Sequence, residues 1–185
     1  PSRVGGNLES AHAILAGLDP AHEIGFALAM NKLMTVHLND QNSIRYDQDK
    51  AFGVENLRQA FNQVKVLKEN GYGEHGEYVG LDVKAMRTTK DEDSYKHLEN
   101  SLKIFKALEA KVDKFDYDFQ KKCVEERDFE ALEMYVMNLL MGVEYEKMKK
   151  KVIVAGHICL DITPVFPDGK VKSVETNIGA VYQVK

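Results

Sequence analysis

A chain of 185 residues with 44% hydrophobic side chains has enough apolar material for one packed domain and part of a second. Its formal net charge of -4 is small and its basic residues are scattered, so neither a nucleic-acid groove nor a membrane-binding face is indicated, which leaves small molecules and further copies of the chain as the expected partners. No apolar run approaches the roughly 18 residues of a membrane-spanning helix, and Cys123 and Cys159 show neither Cys-x-x-Cys spacing nor a disulfide framework, so a cytoplasmic protein is expected.

Val4 to Glu9 reads as the end of a strand, and Asp19-Pro20 as an N-cap followed by Pro at the first helical position, opening a helix over Ala21 to Asn31. Leu33 to Leu38 is a short strand and Asn39 to Phe52 a polar loop. Val54, Leu57, Phe61, Val64 and Leu67 then recur at helical spacing up to Asn70-Gly71. Tyr78 to Val83 is a third strand, and Leu98, Leu102, Phe105, Leu108 and Val112 mark a long amphipathic helix. Alternating strands and helices imply an α/β fold with parallel strands and right-handed helical crossovers, in a barrel or a doubly wound sheet. Asp116 to Glu146 is helical and charged, with an apolar stripe at Leu132, Tyr135, Val136, Leu139 and Leu140. Beyond the lysines at 147–151, Val152-Ile153-Val154-Ala155-Gly156 signals a buried strand and places a boundary near Lys149, dividing 1–148 from 149–185. The second stretch is too short for an independent core. A chain that starts at Pro1 without Met and stops after a strand-like run is expected to be a piece of a longer reading frame.

Polar and acidic residues fall where the strands end: Glu9 and His12 after the first, His37 at the second with Asp47 and Asp49 in its loop, and Asp82 at the third. In parallel α/β folds that edge carries the active site. Taken singly, a Glu-x-x-His pair or an Asp-x-Asp turn is more often solvated surface. Asp82 is harder to explain that way, because it places charge within an apolar strand. Carboxylates and imidazoles converging at one edge repel or need neutralising, and a divalent cation does this. Oxygen and nitrogen donors without thiolate favour Mg²⁺, Mn²⁺ or Co²⁺ over structural zinc.

Glu9 to Gly17 followed by His22-Glu23-Ile24 resembles the sixth-strand region of xylose isomerases. Tyr46-Asp47-Gln48-Asp49 resembles that family's Trp-Asp-Thr-Asp loop, and Leu81-Asp82-Val83-Lys84 with Arg87 its last-strand motif, so the likeness spans roughly Leu8 to Arg87. The resemblance implies a partial TIM (β/α)8 barrel, strands six to eight plus the closing helices, from a metal-dependent aldose–ketose isomerase. It implies two divalent cations, Glu9 bridging them, His12, Asp47 and Asp49 on the catalytic one and Asp82 on the other. Lewis acidity would then assist a hydride shift between C1 and C2 of an open-chain sugar. Asp49 is expected to help move the hydroxyl proton, with Lys84 and Arg87 balancing the carboxylates. His37 stands where the family has Asp and is similar to the His of rhamnose isomerases, as a metal or substrate ligand, which leaves the sugar open. A homo-oligomeric parent is expected, and the fragment alone is expected to be inactive.

The run Val152 to Asp161 resembles the first strand of ribokinase-like (PfkB) sugar kinases, with Asp161 as a sugar contact. That family's Gly-Gly and Gly-x-Gly-Asp motifs are missing from the chain. Other readings are a metal-dependent epimerase or nuclease on a related barrel, and a non-catalytic remnant whose helices Lys96 to Val112 and Asp128 to Met141 pair with a partner.

Overall fold

The computed structural model describes residues 4–143. The boundary near Lys149, the strand expected at Val152 to Gly156, Cys159 and Asp161 lie outside the described residues. In chain order the elements are β1 (Gly6–Glu9), α1 (Ser10–Leu15), α2 (Pro20–Ala29), β2 (Leu33–Leu38), α3 (Leu57–Glu69), β3 (Tyr78–Leu81), a 3-10 turn (Asp91–Asp93), α4 (Lys96–Val112), α5 (Tyr117–Glu126) and α6 (Phe129–Met141). The strands form one parallel sheet in the order β1-β2-β3.

Local chemistry sets the ends of the helices. Asp19 accepts from the backbone N–H groups of Ala21 and His22 to open α2, with Pro20 at its first position. The helix stops at Ala29, short of the expected Asn31, because Asn31 turns left-handed at φ 52°. The helical run expected over Asp116 to Glu146 divides in two: Arg127 takes a left-handed φ of 59° and Asp128 caps the next helix through the N–H of Ala131. Asn56 caps α3 by accepting from Gln59, so that helix starts three residues beyond Val54.

The sheet has two unlike faces because side chains alternate along each strand. Val36 and Leu38 of β2 are fully buried with Ile24, Phe61, Val64, Leu67, Leu108 and Val112 of the helices, and Leu8, Val79 and Leu81 join from the flanking strands. On the opposite face register aligns Asn7 with Thr35 and Glu9 with His37, and His37 with Gly80. Helix packing thus consumes the apolar face and leaves the polar one open. Among the described residues no helix is long and apolar enough to cross a membrane.

Candidate metal centre

Parallel register brings the C-terminal ends of the strands to one edge. Glu9, the last residue of β1, faces His37 across the ladder, and His37 faces Gly80, two residues before Asp82. Gly80 has a steric reason to be Gly: a Cβ there would lie 3.0 Å from Cδ2 of His37. The imidazole therefore lies across β3, where its Nδ1 is 3.2 Å from Oδ2 of Asp82. The same nitrogen is 3.2 Å from the side-chain amide of Asn7, whose Oδ1 accepts from Thr35. One nitrogen cannot serve both neighbours at once: protonated, Nδ1 donates to Asp82, and unprotonated, its single lone pair either accepts from Asn7 or is given to a cation, which would take the place of that hydrogen bond.

On the other side of Glu9, α1 begins at once and carries His12 one helical turn away. Nε2 of His12 lies 3.4 Å from Oε1 of Glu9 and 3.3 Å from Oδ2 of Asp47. Glu9, His37 and Asp82 thus form one group of donors and Glu9, His12 and Asp47 a second, each with its ligand atoms within 4.8 Å of one another. Glu9 belongs to both. Even with both imidazoles protonated, three carboxylates against two cations leave an excess negative charge, which a divalent ion would remove. The donors are oxygen and imidazole nitrogen throughout, so the residues present fit Mg²⁺, Mn²⁺ or Co²⁺.

A buried polar triplet following β2 holds the loop that carries Asp47 and Asp49. Asn39, only 1% exposed, accepts from the N–H of Ala11 at 2.7 Å. Glu9 precedes α1 but makes no side-chain cap, so Asn39 caps that helix from across the sheet. The Nδ2 of Asn39 donates to Glu9 and to Asp49, both at 3.0 Å. Asp40 pairs with Lys50 through both backbone groups and accepts from the N–H groups of Gln41, Glu55 and Asn56. The side chain of Gln41 donates to the carbonyls of Ser43 and Tyr46 and accepts from the N–H of Gln48.

Asp49 is 2% exposed, has a left-handed φ of 45°, and lies in neither donor group. Lys84 donates to its Oδ2, and the backbone N–H of Lys84 donates to its carbonyl at 2.7 Å. Burial pushes the Asp49 carboxyl up, but hydrogen bonds involving Lys84, Asp47 and Asn39, with the charge of Lys84, outweigh it and hold the group below its ordinary value. The hydrogen bond to Asp49, with the attraction of nearby carboxylates, raises Lys84 in turn, so the pair stays ionised.

Of the residues singled out in the sequence, Glu9, His12, His37, Asp47 and Asp82 converge in the two groups, while Asp49 and Lys84 form an ion pair beside them. Sequence reasoning passed over Asn39 and Gln41, since neither carries a charge. The signal was present as three consecutive polar residues, Asn39-Asp40-Gln41, directly after an apolar strand.

No family model matches the chain. Among curated proteins it is similar to the xylose isomerase of Thermus thermophilus, 35% identical over 122 residues that make up 66% of this chain and 31% of the relative. It is similar to that of Thermus caldophilus at 34% over the same shares, 66% and 31%. The xylose isomerase of Streptomyces lividans is 44% identical over 72 residues, 39% of this chain and 18% of the relative. These similarities support the family resemblance carried by the Glu9, Asp47 and Asp82 motifs, across a stretch that spans 31% of the length of the two Thermus relatives.

Proposed function

We propose that this chain is the C-terminal part of a (β/α)8 barrel, strands six to eight with the helices that follow, in an aldose–ketose sugar isomerase that uses two divalent cations. The observation that carries the reading is the membership of Glu9 in two separate donor groups, one with His37 and Asp82 and one with His12 and Asp47. A carboxylate shared between two groups suits a pair of cations better than one. The similarity to xylose isomerases of two genera supports the same chemistry.

In this reading Glu9, His37 and Asp82 hold one cation, and Glu9, His12 and Asp47 hold the other. Bound there, Mg²⁺ or Mn²⁺ supplies Lewis acidity to the carbonyl and hydroxyl oxygens of an open-chain sugar. The residues around them orient and neutralise. Asp49, with Lys84 on one oxygen and Asn39 on the other, is a fixed negative charge and a poor store for a proton, so its part is to hold the loop and polarise its neighbours. His12, with a side chain 60% exposed, lies at the open side of the centre. His37, an imidazole at the middle strand, lowers the negative charge facing the sugar and thereby bears on which sugar is accepted.

Isothermal titration with Mn²⁺ tests the cation pair. Two binding steps are expected, Glu9→Gln weakening both, His12→Ala only one and Asp82→Asn only the other. Absence of binding, or two undiminished steps in Glu9→Gln, sinks the reading. An aldose isomerisation assay with Mg²⁺ or Mn²⁺ is expected to find this chain inactive by itself, since strands six to eight are only part of the proposed barrel, and conversion by the chain alone would overturn that assignment.

A further inference from the structure

The geometry around β2 assigns a task to a residue with no charge and no place in either donor group. We infer that Asn39 is the positioning residue of the centre: its amide fixes the shared carboxylate of Glu9, and through it the affinity of both cation groups. This inference rests on the two-cation reading above.

The side chain of Asn39 is nearly sealed from solvent, and both its polar atoms are engaged. Its Oδ1 is tied to the N–H of Ala11, two residues beyond Glu9, at 2.7 Å. That bond sets which way the amide faces, since the N–H can be met only by the oxygen. The NH₂ is consequently aimed at the two carboxylates, reaching Oε1 of Glu9 and Oδ1 of Asp49 at 3.0 Å each. One amide thus spans the start of α1, the tip of β1 and the loop after β2.

The amide also acts on the balance of charge. Glu9 and Asp49 lean on the same nitrogen, and its two N–H donors stand between groups that repel each other. A carboxylate has about four lone-pair sites, and committing one to Asn39 leaves the remainder for cations. Neighbouring hydrogen bonds further anchor the frame. Ser10, adjacent to Glu9, donates to Gln63 of α3 at 2.6 Å, and both are buried. The Glu9 backbone is therefore fixed independently, and Asn39 governs the side chain. Partners that orient a ligating carboxylate in this way change metal affinity by about 10- to 100-fold when removed.

The test compares Mn²⁺ binding by calorimetry in the whole chain and in its Asn39→Ala and Gln41→Ala variants, with folding checked by circular dichroism. Asn39→Ala is expected to weaken both steps by about tenfold or more, because both depend on Glu9. Gln41→Ala loosens only the loop and is expected to weaken just the step that His12→Ala removes. A merely structural role for Asn39 would give the Gln41 pattern, and that result, or two undiminished steps, overturns the inference. Should Asn39→Ala fail to fold, the unaltered chain decides. The side-chain amide resonances of Asn39 are expected to exchange slowly with solvent and to shift as Mg²⁺ is added, whereas fast exchange or no shift overturns it. If the unaltered chain binds no Mn²⁺ at all, it is the two-cation reading that has failed.

Discussion

Replacing Asp40 by Ala should separate the two cation groups energetically. Asp40 is 3% exposed, and its carboxylate accepts from the N–H groups of Gln41 at 2.9 Å, Glu55 at 2.9 Å and Asn56 at 3.1 Å. Hydrogen bonds to an ionised group contribute about 1.5–3 kcal/mol each, but three sharing one carboxylate do not add in full. Glu55 and Asn56 are exposed, so water replaces part of what they lose, while Gln41 is buried and its N–H is left without an acceptor. The two backbone bonds between Asp40 and Lys50 survive the change. A loss of about 2–3 kcal/mol follows, read as a lower urea midpoint at unchanged slope. The loop carries Asp47, whereas Glu9 and His37 belong to the strands and Asp82 directly follows β3. The Mn²⁺ step that depends on His12 should therefore weaken while the step that depends on Asp82 persists. A loss below about 1 kcal/mol with the loop-borne step intact, or equal weakening of both steps in a folded variant, would refute the reasoning.

Gly80→Ala places a methyl group 3.0 Å from Cδ2 of His37 and should push the ring off Asp82. We expect the Asp82-dependent Mn²⁺ step to weaken about tenfold, and the variant to lose about 1–3 kcal/mol by overpacking; an unchanged step would show that the ring needs no such berth. Glu77 accepts from the backbone N–H groups of Gly73 and His75, and its carboxyl is held below its ordinary value chiefly by its own backbone N–H and that of His75. The folded state binds this proton more weakly than the unfolded chain, so the stability it contributes is present above the ordinary Glu range and disappears as pH falls through it and below. Glu77→Gln should flatten that acid limb of the melting temperature, and an unaltered limb would count against the assignment.

Much of the fold was legible because burial leaves a period. On α3, Phe61, Val64 and Leu67 recur at helical spacing and all lie in the core. On α4 the stripe misled at its start: Leu98 and Leu102 are exposed, while Ser101 is fully buried on the inner side. The hydroxyl of Ser101 is needed there, accepting from the N–H of Phe52 and donating to the carbonyl of His97. Hydrophobic periodicity cannot register a polar residue recruited by a distant loop. Helix α1, Ser10–Leu15, was missed because six residues are too few to display a pattern, and its cap comes from Asn39, 28 positions along the chain from Ala11. The donor residues were legible as polar interruptions at the strand ends. Their division into two groups sharing Glu9 came only from the family resemblance and not from the residues by themselves, since it depends on register and on how far one helical turn carries His12.

The backbone at Asp49 sets foldability against chemistry. An ordinary side chain in the left-handed region costs of order 1–2 kcal/mol, which glycine would avoid. Only a residue with a carboxylate can meet the ammonium of Lys84 there, so selection for stability alone would favour a different amino acid from the one present. Sequence drift at position 49 therefore has two directions, one toward a sturdier loop and one toward a working site, and a lineage that had given up the reaction would be expected to slide toward the first.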